Sequence, residues 1–326
     1  MPDPYRFLLT QTGGPEVLEA ELIDVPVPGE GEVLIRHEAV GLNFIDTYHR
    51  SGLYPVPLPS GLGTEAAGVI EAVGPGVEGF REGNRVAYFS GPLGAYASHR
   101  AIDADRVVKL PESVEADVAA AVLLKGCTAE FLVERCAQVE SGEPVLVHAA
   151  AGGVGSILVP WLKSMGAVVI AHAGNSRKAG IAKELGADHA LCCPMEELAA
   201  EVRAITGGKG VPVVLDGVGA ASWEASLGCV ARRGLLVTYG NASGPVPPFS
   251  ALDLLRAGSI FVTRPTLFDY IPTPQEMRAS AARVLELVGE GTIEVRIGQR
   301  FPLIDAAEAH RTIEARATVG STVLVP

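Results

Sequence analysis

The run HAAAGGVG, residues 148–155, is the strongest chemical signal in the chain. It follows the apolar stretch PVLV and leads into a mostly apolar run, so it predicts a strand, a tight turn and a helix. Its form is Ala150-x-Gly152-x-x-Gly155, with alanine where the first glycine of such patterns usually stands. Gly152 and Gly153 would let a pyrophosphate approach the backbone N–H groups, while Gly155 lets helix and strand pack closely. Further on, AHAGNSRKAG (171–180) contains no acid to hold a ribose 2′-hydroxyl. Ser176, Arg177 and Lys178 offer a hydroxyl and two cations for a 2′-phosphate instead. One charge-assisted hydrogen bond is worth about 1.5–3 kcal/mol, roughly tenfold to hundredfold in affinity. The sequence therefore predicts NADPH rather than NADH.

Other chemistries find little support. The seven histidines are scattered, without the i,i+4 pairing of a His-Glu-x-x-His metal site. The five cysteines include no Cys-x-x-Cys pair, and the adjacent Cys192 and Cys193 would point to opposite faces of a strand. There is no Gly-x-Ser-x-Gly elbow; GNASG has its serine one place late. A net charge of −12 and a pI near 5.1 argue against nucleic acid as the main partner. The only tight basic pairs are Arg177-Lys178 and Arg232-Arg233. The region 144–174 is broken by His148, a glycine cluster, Pro160, Lys163 and Gly166, and reads poorly as a membrane helix. The beginning of the sequence shows no secretory pattern, and with the odd cysteine count this predicts reduced thiols and a cytoplasmic location.

Positioning these residues requires two domains, which suits 326 residues of which 48% are hydrophobic. Residues 33–111 alternate short extended runs with turns, for example EVLIRHEAV and AGVIEAVG, and predict a compact, mainly β domain. A polar loop, GLNFIDTYHRSGLYPVPLPSG, interrupts it. Next, Ser113 is placed to cap a helix, and a second helix is predicted over 128–137. From Pro144 strands alternate with helices at 154–165, 177–185, 196–205 and 221–230, the pattern of a doubly wound parallel sheet. Pro160 falls inside the first of these helices and should kink it. The final section predicts a helix over 276–289 and two short strands.

The runs VGLNFIDTYHRSGLYPVPLPSGLGTEAAG, HAAAGGVG, RRGLLVTYGNASGP and VTRPTL together carry a resemblance. The chain resembles the NADPH:quinone oxidoreductases of the bacterial type, in the zinc-free branch of the medium-chain dehydrogenase/reductase superfamily that includes zeta-crystallin. The resemblance extends from GGPEVLE to RATVGSTVLVP. It implies an α/β protein in which a GroES-like β-rich catalytic domain (1–124 and 265–326) surrounds a Rossmann domain (125–264). Cofactor and substrate would meet in the cleft between the domains, and the family implies a homodimer through the Rossmann sheets, with SIFVTRP as the edge strand.

By matching position, Asn43, Tyr48 and Thr128 would approach the nicotinamide half. Gly152, Gly153 and Val154 would bind the pyrophosphate, and Gly174, Ser176 and Lys178 the 2′-phosphate end. Tyr239, Asn241, Arg264 and Arg316 would complete the cofactor wall. Cys193 stands where bacterial relatives often carry a tyrosine. On the substrate side, Asn43, Tyr48 and Tyr54 are the candidate catalytic residues. In metal-dependent relatives the zinc-binding cysteine, histidine and later cysteine align with Asn43, Thr64 and near Leu124; only Glu65 survives, so no metal is expected. Glu65 is left with a buried hydrogen-bonding role.

Without a metal, an already electrophilic acceptor such as a quinone fits best, its carbonyl receiving a hydrogen bond from Asn43 or a tyrosine hydroxyl. The alternatives are reduction of an enal, enone or enoyl-thioester double bond, and a crystallin-like structural or RNA-binding role.

Overall fold

The computed structural model describes residues 3–326, which form two compact units. Of the described residues, the first comprises 3–125, 271–289 and 295–326, and the second comprises 126–270 and 290–294.

The first unit is built on a seven-stranded sheet, six strands in one continuous order and the seventh paired to its spine. Its spine is Glu32–Leu42, which pairs antiparallel with Ala66–Val73, His99–Asp103 and Ser321–Val325. Alternation along the spine buries Val33 and Ile35 in a core with Val40, Leu42, Ile70, Tyr88 and Leu324. Gly68 is required by this pairing, because a Cβ there would strike the backbone of Arg36 and His37. Burying the spine also buries His37. Its Nδ1 donates to the Ala97 carbonyl and its Nε2 accepts from the Tyr88 hydroxyl, while burial lowers its pKa to about 3.

The second unit is a six-stranded parallel sheet in chain order 3-2-1-4-5-6. Its first four strands are Pro144–Val147, Val168–His172, His189–Leu191 and Val211–Asp216. Val230–Thr238 and Phe261–Thr263 extend the sheet. The order reverses between Pro144–Val147 and Val211–Asp216, and in such sheets the carboxyl ends of those strands form the ligand crevice.

Several local expectations are corrected. The polar loop after Leu42 contains the helix Phe44–Ser51, started by a capping box between Asn43 and Asp46 and stopped at Gly52, φ +82°. Ser113 does not cap the next helix, which begins three residues later as Ala116–Glu130. That helix continues directly into the π-helical turn Phe131–Cys136, so no separate helix starts at Thr128. As expected, Pro160 lies within a helix, the ten-residue Gly155–Ser164. The helices Ala251–Arg256 and Ala306–Glu314 had no sequence expectation.

Candidate functional site

In the second unit, the apolar strand Pro144–Val147 ends at His148, and the chain then turns into the helix Gly155–Ser164. The turn holds Ala149 at φ +50°, a conformation uncommon for a residue with a Cβ. Residues 152–154 are half-exposed, whereas Ala150, Ala151 and Gly155 are buried. Gly155 has no room for a side chain, since a Cβ would lie 2.7 Å from Ala150 Cα. Hydrogen bonding into the helix begins on the Gly152 and Val154 carbonyls. Gly152 N–H donates to the Ala149 carbonyl at 2.8 Å, and the N–H groups that follow it at the helix start suit an anion.

The adjoining turn has the same character. Gly174, Asn175, Ser176 and Arg177 are exposed after the buried strand Val168–His172. Asn175 caps the helix Ser176–Glu184 by accepting from Lys178 N–H at 2.9 Å. Gly174 has nothing within 4 Å of where a Cβ would sit. Thus two helix starts, a hydroxyl and two cations lie at carboxyl ends of neighbouring strands, and the residues fit a phosphorylated dinucleotide.

The third wall of this region is backbone. Gly217 approaches the Tyr239 ring so closely that a Cβ would lie 2.8 Å from it. Gly219, φ +91°, lies against the 240–244 turn, where Ser243 N–H donates to the Val218 carbonyl at 2.8 Å. These contacts hold Tyr239 and Asn241, both half-exposed, beside the end of Val211–Asp216. Arg264 is exposed just beyond Phe261–Thr263, and Thr128 is half-buried near the end of Ala116–Glu130.

Beneath the phosphate turn lies a polar cluster that the motif did not reveal. Asp216 accepts from Ser222 Oγ and from Ser226 Oγ, each at 2.7 Å, and from Val218 N–H at 2.8 Å. Ser226 Oγ in turn accepts from His148 Nε2–H at 3.0 Å. Complete burial depresses His148 to about 4, against the opposing pull of Asp216, so it is a neutral brace between the end of Pro144–Val147 and the helix Trp223–Cys229.

In the first unit, the candidate substrate-side residues are spread along Phe44–Ser51, with Asn43 at its N-cap, Tyr48 within it and Tyr54 just past its end. Tyr48 is buried and its ring meets that of Tyr54 edge-on, 5.1 Å between centroids. Asn43 is also buried; its Nδ2 donates to Glu65 Oε2 at 2.9 Å and toward the Gly41 carbonyl at 3.4 Å. A donor role toward a substrate carbonyl would require one of these bonds to be released. Glu65 is completely buried and also accepts from Leu124 N–H at 2.6 Å, with Lys125 Nζ at 3.5 Å. Burial raises its pKa, offset mainly by the Lys125 charge. Its hydrogen-bonding role is thus visible directly. Gly41 is enforced by the same approach, because a Cβ would collide with Glu65 and the Ala120 carbonyl.

A second chain of bonds enters this corner from Arg50. A guanidinium can only donate, so Arg50 donates to His310 Nδ1 at 3.3 Å, and His310 carries its proton on Nε2. Nε2–H then donates to Tyr96 Oη at 2.9 Å, and Tyr96 donates to Asp46 Oδ2 at 3.1 Å. Asp46 Oδ2 also accepts from Asn43 N–H at 2.9 Å. Burial lifts Asp46 to about 7 and lowers His310 to about 3. Arg316, exposed, holds φ +56° just after the helix Ala306–Glu314, where glycine is favoured.

Sequence reading missed Asp46 and Lys125. Lys125 carried a signal: it is the lone charge in the apolar run AVLLKGC. Among the described residues, no group of three or more His, Cys, Asp or Glu is placed to hold a metal ion, and no helix is long and apolar enough to cross a membrane.

Comparison with known proteins adds independent observations. Residues 29–112 match the alcohol dehydrogenase GroES-like domain, and residues 153–286 match the zinc-binding dehydrogenase profile. A quinone oxidoreductase of Pseudomonas aeruginosa is 48% identical over 322 residues, covering 98% of this chain and 99% of that protein. A 2-haloacrylate reductase of Burkholderia is 41% identical, covering 98% of each. The crystal structure of Escherichia coli quinone oxidoreductase complexed with NADPH superposes with a TM-score of 0.96 at 44% identity, covering 99% of this chain and 100% of that one.

Proposed function

The chain belongs to the quinone oxidoreductase family of medium-chain dehydrogenases, and from that membership we propose that it reduces quinones with NADPH, by hydride or electron transfer and without a metal. The observation that carries this reading is near-full-length similarity to quinone oxidoreductases in a chain that keeps both anion-binding helix starts and the Ser176, Arg177 and Lys178 group. NADPH supplies the hydride when bound. Gly152, Gly153 and Val154 hold the pyrophosphate, and Gly174, Ser176 and Lys178 take the 2′-phosphate end. Thr128, Tyr239, Asn241, Arg264 and Arg316 line the remainder. Asn43, Tyr48 and Tyr54 orient a flat acceptor, whose reduction yields an aromatic hydroquinone that water can protonate.

The test is NADPH oxidation followed at 340 nm with 1,4-benzoquinone, an enal, a crotonyl thioester and 2-chloroacrylate, each repeated with NADH. Quinone turnover preferring NADPH is expected. Turnover of only the conjugated carbon–carbon double bonds would replace this reading with the second one, which the similarity to a 2-haloacrylate reductase favours.

We propose that residues 1–124 and 265–326 form the catalytic domain and 125–264 the cofactor domain, a division close to the two compact units. The protein works in the cytoplasm on a small molecule, as a homodimer through the edge strand Phe261–Thr263. Support for that edge comes from Leu252, Leu255 and Phe261, all exposed on the second unit, with Phe261 62% exposed.

A further inference from the structure

Lys125 is a lysine where the chain has every reason to place an apolar residue. It lies on Ala116–Glu130 among Leu123, Leu124 and Cys127, all buried, and is itself only 6% exposed. Lysine is almost never buried to this extent unless its charge is used or compensated. Its Nζ is covered by protein and pairs with Glu65 Oε2 at 3.5 Å, a long contact, while its charge also reaches the buried Asp46. Glu65 does not depend on the lysine for its hydrogen bonds, because Leu124 N–H and Asn43 Nδ2 already occupy its two oxygens. The ammonium thus keeps N–H donors that Glu65 does not take up, and a charge shielded from water, at the corner that also holds Asn43.

We infer that Lys125 is an electrostatic residue of the acceptor site: anchored by Glu65, its ammonium supplies the positive charge that stabilises the acceptor oxygen as negative charge gathers on it. This rests on the quinone reductase reading and deepens it. The balance is simple. The hydride brings two electrons from the nicotinamide, which is oxidised, to the quinone, which is reduced. The resulting hydroquinone monoanion keeps an electron pair on oxygen within the field of the Lys125 charge and takes its proton from water. A charge held out of water acts with a low effective dielectric and needs no reorganisation during the reaction. Asn43, whose amide N–H groups are turned to Glu65 and Gly41, holds Glu65 in the same corner in addition to its place beside the acceptor.

Two variants separate this role from simple compensation of a buried carboxylate. Lys125→Met keeps the length and removes the charge, but leaves Glu65 buried beside no cation. The double variant Glu65→Gln with Lys125→Met removes both charges at the cost of one acceptor on residue 65, and its unfolding midpoint separates loss of stability from loss of turnover. Each is assayed for kcat with 1,4-benzoquinone and its mono-, di- and tetramethyl derivatives, for NADPH affinity by fluorescence, and for thermal unfolding. Lys125→Met should lose about 100-fold to 1,000-fold in kcat, the usual loss for one oxyanion donor, with NADPH affinity unchanged. The double variant should stay equally slow, and the loss should grow as methyl groups make the acceptor less electrophilic. A double variant that regains wild-type kcat would overturn the inference, as would a folded Lys125→Met with wild-type kcat. A wild-type enzyme inert toward every quinone would instead sink the functional reading and this inference with it.

Discussion

Asp46 shows how burial decides the charge of a side chain that sequence alone would call an ordinary helix cap. Its carboxyl is lifted from 3.8 to about 7 by burial, against the donors Asn43 N–H and Tyr96. The folded state holds this proton where the unfolded chain has lost it, so its contribution is complete below about pH 4 and withdrawn as pH rises toward 7. Denaturant midpoints of wild type and Asp46→Asn, compared across that range, should shift in favour of the variant as pH rises; parallel curves would refute the assignment. At the cofactor end, Lys178→Ala should raise the KM for NADPH about tenfold to hundredfold and leave that for NADH unchanged. Equal changes for both would remove Lys178 from the 2′-phosphate. The contrast between these residues explains what was legible. Lys178 belongs to a local motif, and Glu65 is the one charge in GLGTEAAG, so both could be read in place. Asp46 takes its meaning from Tyr96 and His310, which lie far away in sequence and meet it only through the sheet.

At the scale of elements, the parallel sheet was readable because each strand is a short apolar run followed by a turn and a helix. Tertiary contacts decided the rest. The Phe44–Ser51 helix hides in text rich in tyrosine, glycine and proline, and is held by its capping box and by Arg50, which donates to the Gly13 carbonyl and to Glu314. The turn from His148 to Gly155 has a sharper steric requirement than any helix here. Gly155→Ala should destabilise by about 1–3 kcal/mol, the usual cost of overpacking, because the added methyl strikes the backbone of Ala149 and Ala150. Thermal unfolding with and without NADPH checks this. An unchanged midpoint would mean that the strand and helix do not pack as closely as described.

For the whole molecule, acid sensitivity follows from three buried histidines. His37 and His310 are lowered to about 3 and His148 to about 4, in each case chiefly by burial. Between these values and an unfolded value near 6.5 the unfolded chain binds protons that the folded chain refuses, so stability falls as pH drops below about 6.5. Three such groups outweigh the opposite trend of Asp46. Unfolding midpoints should therefore decline from pH 6.5 to 4.5, and midpoints that rise would contradict the neutral histidines. The proposed dimer gives a separate prediction: Phe261→Glu should halve the mass measured by light scattering while leaving the sheet intact, and an unchanged mass would exclude that edge. The first unit carries one more consequence, in the closing strand Ser321–Val325, which pairs with both Glu32–Leu42 and Ile297–Pro302. The sheet begun by residue 32 is completed only by residues translated after nearly all of the second unit. On the ribosome the order of synthesis and the order of closure are therefore reversed: the unit encoded in the middle is able to fold first, while the unit begun earlier waits for its last strand.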